Sequence, residues 1–271
     1  MRPRLVATHD ELLDASGGSA FVRFDIPAPL PSPGFALDGA IALPRRTHTR
    51  RLGLLVLGAP ADVRALLGAL LEEELLPADL AHVTVTRGSV EAVGSHLPLG
   101  DGSEWEWMYA ASAPERVPAE SSLVPLSRSD IGEIAALLAE ANPDTDARPF
   151  EFPDQHWVGA RDDQGRLVAC GVREPNVAGW PILSGITVHS SARGTGLGLA
   201  VTAYLTRAAV EAVGICTLGM YSHNDVARRV YHGLGYTGDH LWSSRRLANR
   251  PGPVASSSAP VARGGTPAVD S

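Results

Sequence analysis

The sequence predicts an α/β protein built from two structured halves. Short apolar runs typical of buried strands alternate with segments whose apolar residues recur at helical spacing, and a hydrophobic content of 44% is enough for a substantial core. A Pro- and Ser-rich segment, "ASAPERVPAESS" (111–122), divides the halves. We expect an amino-terminal α/β lobe over residues 1–118, a second domain over residues 119–248 and a flexible tail, rich in Pro, Gly, Ser and Ala, over residues 249–271.

The first half reads as strands around one long helix. "FVRFDI" (21–26) and "FALDGAIAL" (35–43) predict strands, and "RLGLLVLG" (51–58) predicts a buried one. A helix from about Ala61 to Leu76 follows, and "HVTVT" (82–86) is the next strand. The order strand, helix, strand indicates a layered α/β arrangement.

The strand "SEWEWMYA" (103–110) alternates aromatic side chains on one face with Glu104, Glu106 and Met108 on the other. One interpretation is an aromatic and acidic wall that binds a cationic amine. The other interpretation, which we favour, is that the aromatic face packs between the two halves.

The second half alternates strands and helices more regularly. The strands are predicted at 122–127, 156–162, 166–174, 180–188 and 215–221, with a last one after residue 234. The helices are predicted at 129–141, 197–213 and 224–234. The helix over 197–213 is apolar nearly all round, so we expect it to pack on a sheet with little solvent contact.

Composition excludes several classes of function. The formal charge of −7 disfavours nucleic acid and anionic membranes as partners. Cys170 and Cys216 have no neighbours at metal-ligand spacing, so no metal site is expected. We interpret them as reduced thiols in the core of a cytoplasmic protein. No apolar run approaches the roughly 18 residues of a membrane span, and the opening segment does not read as a secretory signal. We expect a cytoplasmic protein.

A glycine cluster, "ARGTGLGLAV" (192–201), stands where a strand passes into a helix. Helix N-termini present free N–H groups and a positive dipole end, and glycines let a phosphate approach that backbone. Arg193 stands at the start of the loop, and no Asp or Glu occurs between Glu174 and Glu211. The pattern predicts an anion-binding loop.

Two nucleotide motifs do not fit this cluster. A dinucleotide fingerprint needs a third glycine where Leu199 stands, and a Walker loop needs a lysine, which the sequence lacks altogether. The corresponding turn of the first half, "GAPAD" (58–62), places Asp62 at the helix start, where it would repel phosphate. We expect no nucleotide site in the first half.

A second motif follows downstream. In "YSHNDVARRVYHGLGY" (221–236), Asn224 opens a short helix and Tyr231 lies two turns later on nearly the same face. Together with R-x-x-G-x-G at Arg193–Gly198, this segment resembles the GNAT superfamily of acyl-CoA-dependent N-acetyltransferases over roughly residues 121–247. The Leu-Gly-Tyr ending resembles the glycine N-acyltransferase-like branch.

The resemblance implies a mixed, splayed β-sheet flanked by helices, with acetyl-CoA as co-substrate and no metal. It also allows the first lobe to be a degenerate tandem copy of the same fold. In such enzymes the glycine loop binds the pyrophosphate, a splayed strand pairs with the pantetheine arm, and a residue matching Asn224 contacts that arm. The coenzyme-binding residues implied here are Ile186, Thr187, Val188, Arg193, Gly194, Thr195, Gly196, Leu197, Gly198, Asn224 and Ala227.

The resemblance places Tyr231 to protonate the departing thiolate, and an ordinary tyrosine pKa near 10 suits that role. A neutral amine attacks the thioester directly, so no covalent enzyme intermediate is needed. For the general base, strand position suggests Glu174 first, then His189 and His223.

These observations predict an N-acetyltransferase that moves an acetyl or short acyl group to an amine of a small molecule or peptide in a ternary complex. Two alternatives stay open: an acyl-CoA-binding regulatory module without turnover, and an amide-forming transferase that uses a larger acyl-CoA. We expect a monomer or a homodimer.

Overall fold

A computed structural model describes residues 2–46 and 51–248; the predicted tail over 249–271 lies outside the described residues. Within that part of the chain, strands β1 to β12 are Arg4–Val6, Gly34–Leu37, Ala40–Arg46, Leu52–Leu57, His82–Thr86, Leu99–Ala110, Leu123–Pro125, His156–Arg161, Leu167–Pro175, Pro181–Val188, Cys216–Tyr221 and Thr237–Leu247. Helices α1 to α7 are His9–Ala15, Ala20–Asp25, Pro60–Glu72, Val90–Gly94, Ile131–Ala141, Leu197–Val213 and Asp225–Gly233.

The described strands form a single sheet in the order β1-β2-β3-β4-β5-β12-β6-β11-β10-β9-β8-β7. The sheet is mixed: β4 pairs with β5 and β10 with β11 in parallel, and the other neighbours are antiparallel. This confirms the predicted mixed α/β class.

The two halves repeat one topology. Each runs through a short strand, a helical segment, three strands, a helix, a strand, a helix and a final strand. Reading the sheet from either edge gives the same sequence of equivalent strands. This repeat is what a tandem copy of one fold predicts, and the predicted boundary at residue 118 falls between β6 and β7.

The final strands of the halves are exchanged at the centre of the sheet. The last strand of the first half, β6, pairs with β11 of the second half. The last strand of the second half, β12, pairs with β5 of the first half. β6 and β12 also pair with each other, so the two halves share one continuous hydrogen-bonded sheet.

Helices cover both faces of the sheet. One face carries α1, α2 and α5, and the other carries α3, α4, α6 and α7; the side chains of adjacent strand residues alternate between the faces. No helix among the described residues combines the length and the apolar character that crossing a membrane requires.

The prediction of a strand over residues 21–26 was wrong, because this segment forms α2. Ser19 caps the helix by accepting a hydrogen bond from the N–H of Val22. The buried Phe21 ring lies 4.6 Å from the Trp242 ring, centroid to centroid. Six residues are too few to distinguish the repeat of a helix from that of a strand. The preceding Ser19 favours the helix because it caps the helix N-terminus.

The helix predicted to reach Leu76 ends at Glu72. Beyond it the chain turns with Glu74 at a left-handed φ of 54°. Leu76 is still buried in the core under α3. The apolar run therefore extends past the helix because the following turn also covers the core.

The aromatic face of β6 packs against α2. Trp107 is 1% exposed and meets Phe21 edge-on at 5.4 Å. The Phe24 ring lies 5.8 Å from Tyr109 and 5.4 Å from Trp180 of the second half. These contacts support the packing interpretation, since a buried Trp107 cannot form a wall for an amine.

The central β6–β12 pair gives a test of how strongly the halves depend on each other. A Cβ at Gly102 would lie 1.8 Å from the carbonyl oxygen of Ser244, whereas a Cβ at Gly100 would lie an ordinary 3.5 Å from that of Arg246. We expect Gly102→Ala to lower the free energy of unfolding by about 1–3 kcal/mol and Gly100→Ala to change it much less. Denaturant unfolding of both variants measures the difference, and equal stability would contradict it.

Candidate active site

The sheet opens between β10 and β11. The two strands pair only at Ile182 with Thr217 and at Leu183 with Leu218. Further along, the register of β10 against β9 shifts between Ser184 and Thr187. The ends of β10 and β11 then run on without pairing to each other, which confirms the predicted splay.

Gly185 lies in this register shift. Its φ of +61° is a left-handed value that side chains other than glycine adopt rarely. A Cβ there would also lie 2.8 Å from the Cβ of Ala147, in the segment that follows α5. Glycine is therefore required both for the bulge and for the close approach of this segment, which covers one face of the opening.

Beyond Leu183, the edge of β10 that faces the opening has no strand paired to it among the described residues. The N–H of His189 bonds to the carbonyl of Val168 on β9. Because successive residues of a strand direct their N–H and C=O groups to opposite edges, Ile186 and Val188 direct theirs to the opening. Thr187 directs its own to β9, and its side chain accepts a hydrogen bond from Asn142 at 3.1 Å.

The glycine loop lies at the end of β10, directly before α6. Gly194 and Gly196 have φ values of +81° and +85°, and Gly196 is the N-cap of α6. Residues 193–196 are exposed, and no atom outside the neighbouring residues lies within 4 Å of a Cβ built at Gly194. The first N–H groups of a helix have no intrahelical acceptor, so the loop presents free donors around an open space.

Other loop side chains are used within the loop or against β10. The Thr195 hydroxyl donates to the carbonyl of Ala192 at 2.7 Å, and the Arg193 Nε donates to the carbonyl of Val188 at 3.4 Å. A Cβ at Gly198 would lie 3.5 Å from the Val188 side chain. Gly194 and Gly196 therefore leave the approach to the backbone clear, and Gly198 faces the packed side of α6.

The helix α7 carries the second predicted motif. Asn224 is its N-cap, and the Asn224 Oδ1 accepts a hydrogen bond from the N–H of Ala227 at 3.0 Å. Tyr231 is 8% exposed and packs in the same core cluster as Leu218 and Met220 of β11. The structure therefore brings this motif against the strand that borders the opening.

Burial raises the pKa of Tyr231 to about 12. The tyrosine pKa near 10 assumed from the sequence is therefore too low for this environment. Its hydroxyl makes no hydrogen bond to a side chain or backbone group of the residues that the structure describes. A tyrosine with this pKa is protonated at neutral pH, so it can donate a proton but cannot act as a base there.

Glu174 is fixed beside the start of the opening. Its Oε2 accepts a hydrogen bond from Gln155 at 2.5 Å and its Oε1 accepts one from Ser184 at 2.7 Å. Gln155 is itself held by the indole N–H of Trp157. By strand alternation from Val172, Glu174 lies on the face that α5 covers, opposite to the face of Tyr231.

The two histidines considered as bases have other surroundings. The His189 ring bonds to Glu140 at 3.0 Å and to Ser191 at 2.7 Å. The His223 ring is stacked on Tyr221 at 5.8 Å. His189 is thus engaged at the α5 surface, away from the opening.

The side of the opening near Tyr221 is acidic. Burial raises the pKa of Tyr221, and the nearby carboxylates of Asp146 and Asp144 raise it further. Both aspartates belong to the segment after α5 that approaches Gly185. Negative charge at this place attracts a cationic group.

The cysteines are unsuited to nucleophilic catalysis. Both are buried and free. Burial raises the pKa of Cys170 to about 12 and that of Cys216 to about 11, so neither forms a thiolate at neutral pH. Across residues 2–46 and 51–248, no group of three or more His, Cys, Asp or Glu side chains could hold a metal ion.

The described part of the first half, residues 2–46 and 51–118, has no such opening. Its equivalent strands β4 and β5 stay paired at four consecutive positions, from Gly53 with His82 to Val56 with Val85. The register of β3 against β4 runs without a shift. The turn before α3 has one glycine, Gly58, whose Cβ position would lie 2.8 Å from Ala40, so this glycine serves packing.

Sequence reasoning missed Gln155, Ser184 and Gly185. The glycine carried a usable signal, because an isolated glycine within a strand pattern indicates a bulge or a close backbone approach. Gln155 and Ser184 carried none, since only the folded sheet brings them to Glu174.

Comparisons with known proteins agree with this geometry. Residues 128–236 match the model of the acetyltransferase (GNAT) family. A GCN5-related N-acetyltransferase from Sphaerobacter thermophilus is 20% identical, with 79% of this chain and 78% of that chain covered at a TM-score of 0.50. A GNAT-family acetyltransferase from Colwellia psychrerythraea is 13% identical, with 92% and 100% covered at a TM-score of 0.50. None of the curated proteins compared with the chain matches it.

The fold and the opening agree with the match of residues 128–236 to a family of acetyltransferases. Residues 128–236, which lie in the second half of the chain, are similar to the GNAT acetyltransferase family over that span. The structural similarities, at these identities, establish the fold alone. The narrower resemblance to glycine N-acyltransferase-like proteins stays a prediction.

The raised pKa of Tyr231 can be measured directly. We expect the phenolate absorbance of wild type and of Tyr231→Phe to rise equally up to about pH 11, because Tyr231 ionises only toward pH 12. The stability gained by keeping this phenol neutral is present below the ordinary pKa near 10 and is lost as the pH rises toward 12. A titration step near pH 10 that is missing from Tyr231→Phe would show a solvated, ordinary tyrosine.

Proposed function

We propose that this protein transfers an acetyl or other short acyl group from acetyl-CoA to an amine of a small molecule or peptide. The observation that carries the proposal is the opening between β10 and β11 with the glycine loop at its end. Such a cleft places an unpaired strand edge next to the free N–H groups of a helix N-terminus. A molecule with an amide-rich arm and a pyrophosphate needs both.

The residues present suit coenzyme A. We assign the pyrophosphate to the loop Arg193–Gly198, because residues 193–196 are exposed and an anion is favoured at a helix N-terminus. We assign the pantetheine arm to the backbone of Ile186 and Val188, with Thr187 holding the strand in place. Asn224 and Ala227 border the arm from α7. The thioester supplies an activated acyl group when bound.

Transfer proceeds by direct attack in a ternary complex. The amine nitrogen forms a bond to the thioester carbon, the carbon–sulfur bond breaks, and Tyr231 gives its proton to the sulfur. Glu174 takes a proton from the amine, directly or through water. Unpaired N–H groups of β10 stabilise the developing oxyanion. The raised pKa values of both cysteines support a route without a thiolate nucleophile.

An amine acceptor suits the acidic side of the opening. Asp144 and Asp146 lie close enough to Tyr221 to raise its pKa. Their charges attract a protonated amine before it is deprotonated for attack.

The remaining expectations from the sequence belong to the same proposal. We propose two units over residues 1–118 and 119–248 in a monomer or homodimer that works in the cytoplasm. The charge of −7 supports the absence of a nucleic-acid partner. The two free, buried cysteines fit a reducing compartment.

Calorimetric titration with acetyl-CoA tests the coenzyme site. We expect the wild-type protein to bind acetyl-CoA and Gly196→Asp to bind it at least about tenfold more weakly. A tenfold loss corresponds to about 1.4 kcal/mol of binding free energy, which is a modest penalty for placing a carboxylate beside a phosphate. Gly179→Asp is the matched control, because Gly179, in the turn before β10, has a φ of +84° and no atom within 4 Å of its Cβ position, whereas Gly196 has only the Ala119 Cβ at 3.8 Å. Equal loss in both variants, or no binding by the wild type, would contradict the assignment.

Replacement of Tyr231 tests the proposed acid. We expect Tyr231→Phe to lower turnover by about 100-fold or more, the usual contribution of a general acid, with the affinity for acetyl-CoA nearly unchanged. The measurement is release of the coenzyme thiol over a panel of primary amines. Undiminished turnover would remove Tyr231 as the acid, and binding without turnover in the wild type would favour a regulatory module.

A further inference from the structure

The strand that borders β11 comes from the first half of the chain. β6 pairs with β11 along its length, with Met108 opposite Leu218 and Glu106 opposite Met220. Met108 belongs to the core under α6 and α7. By alternation Glu106 lies on the same face, and it is 4% exposed.

A bidentate ion pair joins Glu106 to Arg228 of α7. The Arg228 Nε lies 2.9 Å from the Glu106 Oε2, and the Arg228 Nη2 lies 2.8 Å from the Glu106 Oε1. This fork-on-carboxylate geometry fixes orientation as well as distance. The same guanidinium donates to the carbonyl of Ser222 and to the carboxylate of Asp225. One arginine therefore joins β6, the turn before α7 and the first turn of α7.

Few apolar contacts hold α7. Tyr231 is its buried residue, whereas Val226 is 67% exposed, and only Ala227 and Val230 add partly buried apolar contacts. A helix of nine residues is not stable by itself in water. The ion pair with Glu106 therefore adds a polar anchor between α7 and β6.

Glu104, two residues earlier on the same face, forms a comparable pair with other partners. Its carboxylate pairs with Arg87 at 2.8 Å, which also reaches Glu106 at 3.6 Å, and with Arg245 of β12. Neither partner belongs to α7. The two glutamates therefore share a strand, a face and an arginine-rich environment, but only Glu106 touches the helix that carries Tyr231.

We propose that Glu106 is a positioning residue for catalysis: through Arg228 it holds α7, and with it Tyr231 and Asn224, at the opening between β10 and β11. The first half thus contributes to the reaction by supplying a strand and a carboxylate to the second half. This inference rests on the proposed function, because it names what positions the proposed acid.

Kinetics of matched variants test the inference. Glu106→Gln keeps the shape of the side chain and removes its charge, and Glu104→Gln is the matched control. Below the unfolding temperature of each variant, we expect Glu106→Gln to lower kcat by about 10- to 100-fold, the scale of a misplaced catalytic group, with a smaller change in the acceptor KM. Glu104→Gln should retain the wild-type kcat. Equal kcat values in the two variants would overturn the inference.

A double-variant cycle adds a second criterion. We expect Arg228→Gln to lower kcat like Glu106→Gln, and the double variant to be no slower than the slower single variant, because both changes remove one interaction. Glu106→Asp, which keeps the charge, should recover part of kcat. Losses that multiply in the double variant would overturn the coupling.

A readout without turnover separates this inference from the proposed function. The chain has five tyrosines, so fluorine NMR of protein labelled with 3-fluorotyrosine can resolve Tyr231, assigned with Tyr231→Phe. We expect the Tyr231 signal to shift or broaden in Glu106→Gln and to stay in place in Glu104→Gln. Wild-type protein that neither binds nor uses acetyl-CoA would end the proposed function, and this signal would still decide the positioning. An unchanged signal would overturn the inference.

Discussion

The whole sheet depends on the antiparallel pairing of β6 with β12. Each of these strands also completes the half of the sheet to which it does not belong in sequence. Without them β5 and β11 would each present an unpaired edge, and exposed strand edges favour pairing with other chains. The exchange therefore makes the two halves one folding unit, although their elements repeat.

Comparison of the two halves distinguishes features of the shared topology from features that depend on a few local residues. Both halves have the same order of strands and helices. Among the described residues, only the second half has a bulge in the strand before its long helix and a glycine loop after that strand. In the first half the equivalent strands stay paired and the turn carries Asp62. A few residues at one strand end thus decide which half opens its sheet.

The sequence was most informative where local chemistry decides the structure. The glycines on either side of α6 and its apolar residues predicted its bounds, and the apolar run of β5 predicted that strand. The downstream motif predicted that Asn224 opens α7, where it is the N-cap. α2 could not be told from a strand because its six residues are too few to establish a period. The strand exchange left no trace in any local pattern.

The parts of the site that depend on distant partners were also beyond the sequence. The contacts of Gln155 and Ser184 with Glu174 require three strands in register. The alternation correctly placed Glu106 on the face opposite Trp105 and Trp107, but its partner lies on a helix 122 positions later. Long-range polar pairs of this kind have no periodicity to detect.

The strand exchange also has a consequence for biosynthesis. A chain leaving the ribosome completes β5 long before it completes β12, the last described strand. The edge of β5 that pairs with β12 therefore remains unpaired while most of the second half is being synthesised. Contacts of such long sequence separation slow folding, and an open edge in the nascent protein invites aggregation. Cellular production of this protein should for that reason depend more on chaperones than that of a protein with two self-contained copies of the fold.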